Sequence, residues 1–367
     1  MEYKIEKETY INWRKAISEM FSEEKISGNE KELSGFIDFL LKEKIAPYYY
    51  YKCKERIEDE KVKTKLKNIY FHFLGANEIL RMKSEFIIKR INEIGIVPVI
   101  LKGIELQDNL YPKPELRPSS DLDILVLNQK DFDLSLNELL KMGYRIYEYR
   151  SIKFPMIYGK DLVLIPPESN GLMVELHHSL RFGKCDRRRK YDEIFYTPAN
   201  LVIRNNGKIK YYGFSNEANY AYLSHHTFQS HHNLKRLIWV LDLLLLRDRL
   251  DQKRIKEIAE ESNTKELIDF SYKLLDAILL TDKNSDCFIS EVQSNKKSAL
   301  IKLKNEFKNI DGISKKLLWL LIWFFPNKVF LKKRYGEKKN IFSLYLTYYT
   351  KLLKRLFEAS WGEFLDK

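Results

Sequence analysis

Apolar positions change period twice along the chain. Up to about residue 95 they recur at helical spacing: Phe36, Phe39 and Leu40 share one face, as do Ile69, Phe73, Ala76, Ile79 and Leu80. The helix through Lys83-Ser84-Glu85-Phe86-Ile87-Ile88 runs toward Gly95, a residue suited to closing it. Short β-branched runs then take over. Residues 97–101 predict a buried strand that turns at Lys102-Gly103, and residues 122–126 a second one after a loop holding Pro112, Pro114 and Pro118. A helix is predicted over 131–142, stopped by Gly143, and strands over 144–149, 161–165 and 172–176. The last two are separated by the turn Pro166-Pro167-Glu168-Ser169-Asn170-Gly171. From about Glu217 the period is helical again, with helices predicted over 234–250, 265–279, 314–325 and 342–357. The expected fold class is therefore α+β: a small mixed sheet over 96–215, between helical regions at 1–95 and 216–367.

Composition narrows the function classes. With 367 residues, 44% hydrophobic and 31% charged, 10 prolines and 14 glycines, the chain is neither disordered nor collagen-like. Cys53, Cys185 and Cys287 are too scattered for a disulfide framework or a paired-cysteine zinc site, and suit a reducing cytoplasm. The first residues are charged, so no secretory signal is expected. The longest apolar run, Leu317 to Phe325, is ended by Pro326 and falls short of the ~20 residues of a membrane span. Charge is uneven. Residues 296–367 hold 17 Lys/Arg against 6 Asp/Glu, a net +11 out of +13 for the whole chain. Such a segment suits nucleic acid, an anionic membrane surface or a polyphosphate ligand, or is simply a solvated helical face.

The candidate chemistry centres on Asp121-Leu122-Asp123 at the start of a predicted strand. Alternation puts both carboxylates on one side and Leu122 on the other. Two carboxylates that close repel unless a cation lies between them, and oxygen ligation of this kind suits Mg²⁺ or Mn²⁺. Two solvated acids would explain the pair equally. Lys102 and Gly103 end the preceding strand, where a cation and a close backbone approach suit phosphate. Arg117, Ser119 and Ser120 precede Asp121 and could donate to a triphosphate. In the strand around Met173-Val174-Glu175-Leu176-His177, Glu175 and His177 share a face; a metal role or an ion pair with arginine would each account for that acid.

Taken in order, Leu101-Lys102-Gly103, Leu110-Tyr111-Pro112, Leu116-Arg117-Pro118, Asp121 to Val126 and Leu139-Leu140-Lys141-Met142-Gly143-Tyr144 resemble the uncharacterised nucleotidyltransferase family of the polymerase-beta-like superfamily. Glu175-Leu176-His177, His226, the segment Arg236 to Asp242 and Phe325-Pro326 with Tyr335 resemble its later segments, so the likeness spans about 75–340. Classical members of the superfamily carry Gly-Ser after the first strand, where this chain has Lys102-Gly103-Ile104 and a longer gap to Asp121. The resemblance implies a polymerase-beta-like sheet. It implies that Asp121, Asp123 and Glu175 are catalytic and ligate Mg²⁺ or Mn²⁺, with Glu175 also able to act as general base. It implies that Lys102, Gly103, Arg117, Ser119 and Ser120 hold the phosphates of an NTP, ATP foremost, and that His177 and His226 contact substrate. The reaction implied is transfer of a nucleoside monophosphate to a hydroxyl or phosphate of a small molecule, a peptide or protein, or an RNA end, releasing pyrophosphate. A kinase-like phosphotransferase and a non-catalytic nucleotide- or nucleic-acid-binding protein are the alternatives.

Other features read more blandly. Six of seven histidines come in pairs, yet no zinc motif accompanies them. Asp242 lies on a leucine-rich helix, where a buried acid more often satisfies a neighbouring helix cap or an arginine than performs chemistry. Arg187-Arg188-Arg189-Lys190 reads as an exposed basic loop, and Tyr48 to Tyr51 as core.

Overall fold

The computed structural model describes residues 5–147, 155–156, 159–181, 185–230, 236–279, 289–290, 307, 310, 312–336 and 340–365. After a short strand β1 (Ile5–Glu6), four helices form the N-terminal part: α1 (Lys7–Phe21), α2 (Glu30–Lys42), α3 (Ala46–Cys53) and the 34-residue α4 (Glu60–Glu93). Asn29 and Glu32 close a reciprocal capping box on α2, and Asp59 caps α4. Helix α4 stops just before Gly95, whose φ of +83° lies in the left-handed region.

The sheet strands are β2 (Val99–Ile100), β3 (Asp121–Leu125), β4 (Arg145–Ile146), β5 (Asp161–Ile165), β6 (Met173–His177), β7 (Leu201–Asn205) and β8 (Lys210–Phe214). Their order is β4-β5-β6-β3-β2-β8-β7, and the sheet is mixed: β3 runs parallel to β6 and β2 to β8, while the other neighbours are antiparallel. Helices α5 (Ile104–Asn109), α6 (Gln129–Lys141) and α7 (Cys185–Phe195) interrupt the strands. Then follow α8 (Asn216–His225), extended by a π-helical turn over His226–Ser230, and α9 (Leu237–Arg247), α10 (Gln252–Glu261) and α11 (Lys265–Leu279). A strand β9 (Ile289–Ser290) pairs with β1, and α12 (Ile313–Phe324), α13 (Lys328–Tyr335) and α14 (Ile341–Leu365) end the described chain.

Each face of the sheet has its own apolar partner. Leu122, Ile124, Val174 and Leu176 pack with Ile87, Ile88 and Ile91 of α4 and Phe132 and Leu139 of α6. All four strand residues are 1% exposed or less, so each contributes on the order of 2 kcal/mol by burial. Val99, Leu101 and Leu125 face the other way, into a larger core shared by α1–α3 and α8–α11. The acidic residues of β3 and β6 therefore look toward that second core.

The α+β class is as the sequence reading expected, with differences in detail. The first strand is reduced to Val99–Ile100, and the helix expected over 234–250 begins at Leu237, Arg236 being extended. The hairpin β7–β8 was not anticipated, although Asn206-Gly207 between two alternating runs is its sequence signal. Arg189 and Lys190 lie in helix α7 rather than a loop, with the Arg189 side chain 68% exposed. Tyr48, Tyr49 and Tyr50 are buried. Cys53 is buried too, and desolvation pushes its thiol up to about 12. Cys287, His231 and His232 fall outside the described residues.

Candidate active site on the β3–β6 face

Parallel pairing sets Asp123 directly beside Glu175, and antiparallel pairing sets Asp161 beside His177. The shared register puts all four side chains on one face. His177 Nε2 bonds Asp123 Oδ1 at 3.1 Å and lies 3.5 Å from Glu175 Oε2, while its Nδ1 lies 3.8 Å from Asp161 Oδ2. Lys102, from the turn after β2, brings Nζ to 3.0 Å from the same Asp123 oxygen.

Asp123 is only 2% exposed, so its ionisation depends on its neighbours. Burial opposes the charge, but the Lys102 ammonium and the His177 hydrogen bond outweigh it and hold the carboxyl well below its usual range. The reverse holds for Lys102. Desolvation disfavours its charge, and Asp123, Tyr222 and Glu175 more than restore it. His177 is fully buried, and the desolvation and nearby Lys160 that favour neutral imidazole are overcome by Asp123, Glu175 and Asp161. The cluster is a compact alternation of charges.

Turn geometry delivers Lys102. Gly103 has φ +54°, and an added Cβ would come to 3.2 Å from Ser119 Oγ and 3.5 Å from the Asp121 carbonyl oxygen. The loop before β3 is thereby laid against the turn after β2. Ser119 Oγ donates to that same carbonyl oxygen, and its backbone N–H points to Asn77 Oδ1. Ser120 Oγ accepts from Lys44 Nζ at 3.2 Å and approaches Asp121 Oδ1 at 3.4 Å.

Two of the sequence-predicted residues have other partners. Arg117 is bound fork to fork with Asp242, Nε to Oδ1 at 2.9 Å and a terminal nitrogen to Oδ2 at 2.8 Å, both side chains being buried. Tyr111 donates a third bond to Asp242 at 2.7 Å. His226 is buried with its ring against Trp239 and Tyr222.

The geometry also brings in residues that sequence reasoning passed over. Asp161 opens a predicted strand, and strand order alone brings it to His177. Lys160 Nζ lies 3.5 Å from the Asp161 carboxylate. Lys44 is contributed by the N-terminal helices; burial and neighbouring Arg236 lower its pKa, while Asp121 raises it. Tyr222 of α8 is buried near Lys102, Asp123 and Glu175, and burial pushes its phenol upward. Its hydroxyl finds no hydrogen-bond partner among the described residues. No local signal marks a single helical tyrosine as part of a site.

The donor set fits a divalent cation. Among the described residues, ligand atoms of Asp123, Glu175 and His177 all lie within 4.8 Å of one another. Two carboxylates and an imidazole suit Mg²⁺ or, better, Mn²⁺, and Asp123 is already ionised as a ligand must be. Asp121 flanks this group on the same strand face.

Residues 29–279, more than half of the chain, match the uncharacterised nucleotidyltransferase family, and the protein belongs to it. Among solved structures, an antigenic nucleotidyltransferase-like protein from Paracoccidioides brasiliensis is similar at 16% identity with a TM-score of 0.33, the match covering 53% of this chain and 91% of that one. No curated protein matches.

Proposed function

We propose that the protein transfers a nucleoside monophosphate from an NTP, with ATP the first candidate, to a hydroxyl or phosphate of an acceptor, releasing pyrophosphate. The observation that carries this reading is the in-register pair Asp123–Glu175 with Lys102 against Asp123. Asp121, Asp123 and Glu175 would hold Mg²⁺ or Mn²⁺, with His177 close enough to join them. Bound there, the ion supplies charge neutralisation at the phosphates and lowers the pKa of an acceptor hydroxyl.

The chain's own groups divide the remaining work. Lys102 is held charged and can move from Asp123 to a triphosphate oxygen, with Lys44, Ser119 and Ser120 at the adjoining loop. Arg117 fixes that loop through Asp242, so its part in phosphate binding is one of positioning. Glu175 is the more open of the paired acids, its side chain 24% exposed, and can take the acceptor proton. The acceptor oxygen then bonds to the α-phosphorus, the bond from that phosphorus to its bridging oxygen breaks, and pyrophosphate leaves with that electron pair.

Calorimetric titration of ATP and its α,β-methylene analogue, with and without Mg²⁺, tests the reading on wild type, Asp123→Asn and Glu175→Gln. Metal-dependent binding weakened in both variants is the expected result. Folded wild type that binds no NTP would refute it. Release of ADP rather than pyrophosphate on turnover would replace it with phosphoryl transfer.

A further inference from the structure

Far from the paired acids in sequence, residues 313–354 carry 10 Lys/Arg and one acid, a net +9 out of the chain's +13. The same stretch is unusually apolar on its outside. Of 23 large hydrophobic side chains exposed among the described residues, 10 lie between Ile313 and Leu353. On α12 they are Ile313, Leu317, Leu321 and Phe324, spaced to form one helical stripe, with Ile313 79% exposed. On α14 they are Ile341, Phe342, Leu346 and Leu353, the last three forming one stripe with Phe342 76% exposed.

These stripes are not core faces left open. The inner faces are already packed: Trp319 and Ile322 of α12 are buried, and Leu331, Leu344 and Tyr348 form a small core between α13 and α14. Tyr345 and Tyr349 tie α14 to the end of α12 by bonding the carbonyls of Pro326 at 2.8 Å and Phe324 at 2.6 Å, and Tyr348 bonds that of Trp323. The outer stripes are thus a second apolar surface on helices that have satisfied their first.

We propose that this surface docks on an anionic lipid bilayer, the outer stripes of α12 and α14 lying among the acyl chains and the lysines of α12, α13 and α14 at the headgroups. Charge selects the occupant. A second copy would bring one lysine-rich surface against another, which repels. Nucleic acid would satisfy the lysines but gains nothing from exposed Ile313, Leu317, Leu321 and Leu346, since its bases stack on aromatic rings rather than aliphatic chains. An anionic membrane takes both features at once. No helix among the described residues is long and apolar enough to cross a membrane, which fits surface seating. The proposal does not depend on the nucleotidyl-transfer reading.

The full chain is co-sedimented with vesicles of phosphatidylcholine alone and with added phosphatidylglycerol. Binding is expected only to the anionic vesicles and should weaken in 1 M salt, where screening shortens to about 3 Å. Leu317→Asp/Leu321→Asp, and separately Lys328→Glu/Lys332→Glu, should each weaken it at least about tenfold with an unchanged circular dichroism spectrum. Should a variant fold poorly, quenching of wild-type tryptophan fluorescence by brominated anionic lipid reads the same docking without substitution. The proposal is overturned if wild type ignores anionic vesicles. It is equally overturned if the leucine variants dissolve a dimer without touching lipid binding, or if the lysines serve only an RNA oligonucleotide that leucine substitution leaves bound.

Discussion

Among the described residues, the pairs Arg117–Asp242 and Lys102–Asp123 both set a cation against a buried carboxylate, and they are built differently. Arg117 meets Asp242 through two parallel bonds, Tyr111 adds a third, and the acid is fully buried. Lys102 meets Asp123 through a single 3.0 Å contact at an oxygen it shares with His177. Beside that contact stand Glu175, partly open to solvent, and Tyr222, whose hydroxyl finds no partner among the described residues. The fork fixes geometry, because two directed bonds from Arg117 and one from Tyr111 engage both oxygens of Asp242. A shared, single-point ammonium can be redirected when a polyanion arrives, because its strength is charge rather than directed bonding. The contrast teaches that burial of a charge alone does not mark a site; incomplete satisfaction beside a second carboxylate does.

The largest expected effect falls on the open pair. Glu175→Gln should lower turnover by about 10²–10⁴-fold, and Lys102→Met by about 10²–10³-fold, with unfolding midpoints in urea moved far less than activity. Loss of activity tracking loss of fold would erase the distinction between the pairs. Next comes the closed pair: Arg117→Met strands Asp242 in the core and should cost about 3–5 kcal/mol in urea unfolding. If Arg117→Met instead leaves stability intact and abolishes ATP binding, the fork is part of the phosphate site.

A third buried acid sharpens the comparison through pH. Glu105 accepts from Arg204 and Asn109 and presses on the backbone of Gly213, where an added Cβ would clash with its carboxylate. Desolvation outweighs Arg204 and raises its pKa to about 7. Between pH 4.5 and about 7 the folded chain holds more of this proton than the unfolded chain. Its contribution to stability is therefore full at acid pH and lost as pH rises across that window. Chemical denaturation from pH 5 to 8 should show this decline in wild type and its absence in Glu105→Gln. The smallest effect is expected at Tyr222→Phe, which removes an orphaned hydroxyl: stability unchanged or raised by about 1 kcal/mol, and KM for the nucleotide raised a few-fold. An unchanged KM would remove Tyr222 from the site.

Parts of this arrangement are legible in the sequence alone. Period-two alternation put Asp121 and Asp123 on one strand side and Glu175 and His177 on another, and both strands stand where the apolar runs put them. The hairpin over 201–214 is weakly marked in the sequence because its edge strand is only half buried, which weakens the apolar alternation; Asn206-Gly207 is its one clear signal. The partner of Arg117 is not legible in the sequence. Arg117 stands four residues before Asp121, but its partner Asp242 is 125 positions away, and nothing local fixes such a contact.

The sequence by itself determined the α+β class, the charges of the site and the concentration of positive charge beyond residue 296, because composition and periodicity are local properties of the chain. Only the tertiary structure decided which acids stand together. Strands β3 and β6 are not consecutive, so their pairing depends on crossover and register, and a slip of one residue would turn Glu175 away from Asp123. The same is true of Lys44 and Tyr222, brought to the sheet by helices before and after it. It is also true of which face of α12 and α14 is left outward, since a helical stripe is exposed only with respect to what its other side has buried.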